Sequence, residues 1–231
     1  DLEKQKTEFN DVEEPKLHDY ELGDLSKLYY DTLEKISPYN EDNEDNKDNS
    51  NIFKGVRYKP LIYLKKETIE DKRKSAEIVK EVYGEDANFD FADLSSNNIA
   101  KFMRHLLVRR FESSIFAFKK SVDNMIGKYE NIKRFVRGRN YYPIYKRGDV
   151  NYEDYSEDDN DIMIKDNSKK YEGLYIIENV KEVLSEEFFT DFENDLKILK
   201  EIKKDWENIG IEKDKKFFKL KEELKKFKKE N

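Results

Sequence analysis

The sequence predicts a mainly α protein: a long-helix bundle with a few short strands and acidic loops. Three observations carry this. Of the 231 residues, 42% are charged and 36% are hydrophobic. That balance cannot bury a deep core around the whole chain, but it suits long helices with one apolar face. Next, the stretch from Ser95 to Arg139 carries apolar residues at Phe111, Ile115, Phe118, Val122, Met125, Tyr129, Ile132 and Val136, a helical stripe with a period of about 3.5. Finally, two further stripes of the same kind lie near the C-terminal end.

Residues 1–94 read as an acidic N-terminal arm with a helix and a candidate edge strand. Ser26 to Ile36 is predicted helical, ended by Ser37 and Pro38. Asn40 to Asn51 is of low complexity and reads as a loop. It lacks the turn glycine and the distal glutamate that a calcium loop requires, so its acids are assigned to solvent. Gly55 to Leu64 holds β-branched and aromatic residues and is the best strand candidate, with Pro60 restricting it to an edge. Glu67 to Tyr83 is predicted helical, with Ile69, Ala76, Val79 and Tyr83 on one flank and Gly84 as its cap.

Residues 95–139 read as one long central helix, capped by Asn97 or Asn98 and stopped at Gly138. In its first half Ile99, Phe102, Met103, Leu106, Leu107 and Val108 point in almost every direction, so several partners are expected around it. The same stretch is the only long one with a strong positive excess in a chain whose formal charge is -7. Such an excess attracts phosphate or an acidic protein surface, although charged helix faces are more often solvated or paired. Glu130 is within reach of Arg134, and Asp123 of Lys119 or Lys120. Arg109, Lys120, Lys133, Arg134 and Arg137 mostly avoid the apolar seam and are the candidate nucleic-acid contacts.

Residues 140–184 read as an acidic loop region with short extended pieces at Tyr141 to Tyr145 and Tyr171 to Glu178. Asp158, Asp159 and Asp161 lack the histidine or distant partner that a metal site needs. Residues 185–231 read as a C-terminal helical pair. Phe189, Phe192, Leu196, Leu199, Ile202, Trp206 and Ile209 stripe the first helix, which starts at Ser185 and stops at Gly210. Phe217, Leu220, Leu224 and Phe227 give the second a narrow seam covered elsewhere by lysine.

No catalytic constellation emerges. A phosphate-binding loop is absent, because Gly127-Lys128 is followed by Tyr129 and lacks the upstream glycine. There is no nucleophile elbow. His18 and His105 are far apart, and Glu112, Ser113 and Ser114 are neighbours on a helix whose side chains diverge. The chain has no cysteine, no signal peptide and no bilayer-length apolar run. A cytoplasmic location, no membrane partner, no metal and no cofactor in this chain are the expectations. The first residue is Asp1 and the first methionine is Met103, and the chain is read as one domain cut from a larger protein.

Leu106 to Ile132 resembles a segment of bacterial superfamily-two helicases of the Swi/Snf-like kind, often fused to a phospholipase-D-like domain. The resemblance rests on Arg110, Phe111, Glu112, Ser113 and Ser114, followed by Phe116, Ala117, Phe118 and Lys119, with Phe111 standing where the family more usually has leucine. A second block, Phe188 to Ile209, resembles a later helical stretch of the same proteins. The resemblance implies an insertion between two ATPase lobes that serve as its partners, with DNA or RNA as the track. ATP, magnesium and the residues that hold them would belong to those lobes and not to this chain.

Overall fold

The computed structural model describes residues 21–36, 51–145 and 174–230. The acidic N-terminal stretch with His18, most of the Asn40 to Asn51 loop, and the cluster of Asp158, Asp159 and Asp161 lie outside the described residues. The fold is mainly α with one two-stranded sheet. Its elements are α1 (Ser26–Ile36), α2 (Ile69–Tyr83), α3 (Phe89–Ser113), α4 (Ile115–Arg139), β1 (Tyr141–Tyr145), β2 (Leu174–Glu178), α5 (Val180–Val183), α6 (Glu186–Trp206) and α7 (Lys215–Glu230).

The expected single helix over 95–139 is two helices. Ser114 leaves the helical region (φ -161, ψ 152), and its side chain accepts the N–H of Ala117 as the cap of α4. Serine competes well for such a role because its short oxygen can replace the missing helical acceptor. The first of the two helices also starts earlier than expected. Asn88, not Asn97 or Asn98, is its cap, accepting from Phe91 N. At the far end α4 runs past Gly138 to Arg139 and stops at Asn140, which is left-handed at φ 57. Asparagine tolerates that region better than most residues.

α4 and α6 lie side by side, and α1 and α3 pack on one end of the pair. Phe111 at the end of α3, Phe118 of α4, Trp206 of α6 and Tyr29 of α1 meet in one aromatic cluster. Trp206 lies edge-on to Phe111, Phe118 and Tyr29, with ring centroids 5.3, 5.7 and 5.1 Å away. Its indole N–H donates to Thr32 Oγ1 at 2.8 Å, so the one polar atom of this buried ring is satisfied. α2 packs on α3, α5 and β2.

The strand expected over Gly55 to Leu64 is instead a pair of 3-10 turns, Val56–Tyr58 and Pro60–Tyr63. Proline at the start of the second favours a turn over a ladder because it has no N–H to give. Only Leu64 makes a strand-like contact, an isolated antiparallel bridge to Leu184. The extended pieces at 141–145 and 174–178 do form, and pair antiparallel with Tyr142 opposite Ile177. Ile69, expected on the packed flank of α2, is 89% exposed; Ile78, Val79 and Val82 supply the buried face.

Candidate nucleic-acid interface

The five candidate contacts are divided by the break at Ser114. Arg109 is exposed on α3, and Lys120, Lys133, Arg134 and Arg137 lie on α4. Two of them converge on one carboxylate of α6. Lys133 Nζ is 2.5 Å from Glu193 Oε2, and an Arg137 guanidinium nitrogen is 3.5 Å from Oε1. Arg134 is exposed and donates to Asn131, while Lys120 is half-buried.

The acids of α4 do not turn back along their own helix. Glu130 meets Lys200 at 2.6 Å and Asp123 meets Lys203 at 2.7 Å, both on α6. An adjacent antiparallel helix places these partners at the same level, closer than the Arg134, Lys119 or Lys120 expected from spacing. The hydrogen bond from Lys200 holds the Glu130 carboxyl below its usual range, and the bond to Asp123 raises the Lys203 ammonium. These pairs are exposed, so each contributes only tenths of a kcal/mol and serves mainly to fix the alignment.

Beside the Glu193 pairs lies a groove of about 320 Å³ between the end of α4 and the start of α6. Ile132, Val136, Phe188 and Phe192 line it together with Lys133, Arg137, Lys181, Glu186 and Glu193. Three cations thus stand against two carboxylates over an apolar floor, and Glu193 already accepts from two of the cations.

The residues that carry the family resemblance have structural roles. Phe111 and Phe118 are buried in the aromatic cluster, and Ser114 makes the break between helices. Arg110, Glu112 and Ser113 are exposed, and the carbonyl oxygen of Glu112 accepts from Lys216 Nζ of α7. Ala117 supplies the capped N–H, and Phe116 is 70% exposed. The block therefore builds a helix corner whose inner rings face Trp206.

One cluster escaped the sequence reading. Asp191 and Asp195 sit on the inner face of α6 and are buried. Asp195 accepts the backbone N–H groups of Lys54 and Val56, each at 2.7 Å, and the Tyr129 hydroxyl at 2.8 Å. Gly55 between the two amides has φ 68, which lets both point at one carboxylate. Its Cα also packs close to α3, since an added Cβ would lie 3.4 Å from the Ala100 Cβ. Asp191 accepts from Lys54 Nζ at 2.8 Å and from the Tyr63 hydroxyl at 2.9 Å. Burial pushes the Asp195 carboxyl up to about 6 against the pull of its three donors. Burial and the neighbouring carboxylates raise the Tyr63 and Tyr129 phenols well above their usual range. Burial lowers the Lys59 ammonium, with Asp195 opposing it. The acids clamp the 53–63 segment onto α6 through two backbone amides and the side chains of Lys54 and Tyr63, and Tyr129 ties α4 to the same cluster. A signal existed: Asp195 falls inside the stripe of Phe192, Leu196 and Leu199, where an acid must have buried partners.

Among the described residues no group of histidine, cysteine, aspartate or glutamate is arranged to hold a metal ion, and no helix is long and apolar enough to cross a membrane. No family model, no curated protein and no solved structure matches the chain.

Proposed function

We propose that this chain is an accessory, inserted domain of a cytoplasmic ATP-dependent nucleic-acid helicase or translocase, helping to couple two ATPase lobes and touching the nucleic-acid backbone. One observation supports this reading above the others. The two blocks that resemble such proteins lie far apart in the chain, yet Phe111 and Phe118 of the first pack edge-on against Trp206 of the second. The two blocks thus form one packed unit. A rigid corner of this kind can report or limit the relative motion of the lobes it joins.

Contact with the backbone is assigned to Arg109, Lys120 and Arg134, with Lys133 and Arg137 contributing when Glu193 releases them. Phosphate contacts position a protein without reading sequence and weaken steeply with salt. The test is a titration of the chain with duplex DNA at two salt concentrations. Salt-sensitive, sequence-blind binding supports the reading, and no binding at low salt removes direct contact from it.

A second reading has its own observation. Phe102 and Ile99 on α3 are 44% and 38% exposed rather than enclosed as their pattern suggested. Together with the pairing of Lys133 and Arg137 to Glu193, this favours a helical interaction or oligomerisation module that never meets nucleic acid. Sedimentation separates the two: a stable oligomer without DNA affinity supports the module.

A further inference from the structure

α7 is strongly basic and stands apart from the rest of the described chain in its packing. Its sequence, KKFFKLKEELKKFKKE, holds eight lysines against three glutamates. Four of its apolar residues are exposed: Phe217 and Phe218 at 39%, Leu220 at 58% and Leu224 at 56%. The helix is held at its first turn, where Asp214 caps it and Lys216 donates to the Glu112 carbonyl.

The spacing of Phe217, Leu220, Leu224 and Phe227 is a heptad seam, with two apolar positions per seven residues. A stripe this narrow matches one helical partner, whereas a bilayer surface calls for a broader apolar face and nucleic acid calls for none. The flanking positions, which set partner choice in such pairs, are Lys216, Lys221, Glu223, Lys228 and Glu230. Glu223 is already engaged, with Lys226 at 2.8 Å and Lys219 at 4.0 Å. The flanks therefore present net positive charge. A second copy of α7 in parallel register would set Lys216 against Lys221, whereas an acidic helix offers a carboxylate to each flanking lysine and is favoured over self-pairing.

We propose that α7 docks a single amphipathic helix of an acidic polypeptide, with leucine-type residues in its seam and glutamates on its flanks facing Lys216, Lys221 and Lys228. The seam from Phe217 to Phe227 runs along about 15 Å of helix at the standard rise. It stands on α7 alone and goes beyond the accessory-domain reading, since it holds for either parent.

The test uses the full chain and a fluorescent synthetic peptide of about 21 residues with leucine at the seam and glutamate on both flanks. A control peptide keeps the glutamates and replaces the seam leucines by serine. Anisotropy is expected to show saturable binding of the leucine peptide, at least ~10-fold tighter than the control. The double variant Leu220→Glu, Leu224→Glu, both at exposed positions, is expected to lose at least ~10-fold in affinity while circular dichroism stays unchanged. Equal binding of the control peptide would overturn the proposal by reducing the surface to a charge patch. So would unchanged binding by the double variant, self-association that this variant abolishes, or binding to phosphatidylserine vesicles with none to the peptide.

Discussion

Asp214 and Ile115 are 99 residues apart, yet the Asp214 Oδ2 accepts the backbone N–H of Ile115 at 3.1 Å. Its other oxygen accepts the N–H of Phe217 at 2.9 Å. One buried carboxylate thus satisfies the starts of two helices, α4 and α7, and ties the C-terminal helix to the corner made by Ser114. Both helix starts carry partial positive charge, which favours the shared anion.

Asp214→Ala is therefore expected to cost more than an ordinary cap. Two orphan amides lose their acceptor, for a total of about 2–3 kcal/mol at roughly the usual cost per cap. Urea unfolding measures the loss. Hydrogen exchange at the Ile115 and Phe217 amides should quicken together, and quickening at only one of them would count against a shared cap.

Trp206 is the hub of the aromatic cluster and is fully buried. Trp206→Ala is expected to destabilise by about 3–5 kcal/mol, because the lost ring leaves a cavity among Tyr29, Phe111 and Phe118. Trp206→Phe keeps most of the apolar area and loses the bond to Thr32, whose hydroxyl still donates to the Leu28 carbonyl, and should cost less. Denaturant midpoints of the two variants should rank in that order.

The Asp195 carboxyl makes stability depend on pH in a definite direction. Its folded value, about 6, lies above the unfolded carboxylate value of 3.8. The native state therefore binds more protons than the unfolded chain between these limits, and this group's contribution falls as pH rises through about 6. The expected size is of the order of 3 kcal/mol across the window. Asp195→Asn should remove that slope. It should also destabilise near neutral pH, since an amide offers only one acceptor oxygen to donors that now share a carboxylate. Thermal unfolding from pH 4 to 7 in both proteins tests the slope; identical pH profiles would contradict it.

Glu193 engages Lys133 and Arg137, two of the proposed phosphate contacts. Glu193→Gln should tighten duplex DNA binding and steepen its salt dependence, since two more cations become available. An unchanged affinity would place the nucleic-acid surface elsewhere on the protein.

Much of the architecture was legible from periodicity. The stripe of α6 follows directly from residue spacing, and the extended pieces of β1 and β2 were expected as such but not as a pair. The break at Ser114 was not legible, because the apolar steps from Phe111 to Ile115 to Phe118 continue through it in helical register. A serine is equally at home in a helix or at its cap until a partner decides, and here Asp214 supplies an acceptor to the freed amide of Ile115. Gly55 to Leu64 misled for a related reason. Its β-branched and aromatic residues do pack inward, but the turns they occupy are set by Asp195 and Asp191 on a distant helix. The basic residues were visible as a group. The ion-pair partners across the helices were not, since Glu193 meets Lys133, and Lys200 and Lys203 meet Glu130 and Asp123, only once α6 lies against α4.

The central claim is that this helical corner meets a nucleic-acid backbone as part of a larger motor. The most direct measurement is the affinity of the chain for a fluorescent DNA duplex at 50 and 200 mM salt, with Arg109→Glu and Arg134→Glu alongside. About three phosphate contacts predict a loss of about 40-fold between these two salt concentrations, and a further loss in each variant. No measurable binding at the lower salt, or an affinity indifferent to both salt and these substitutions, would contradict it.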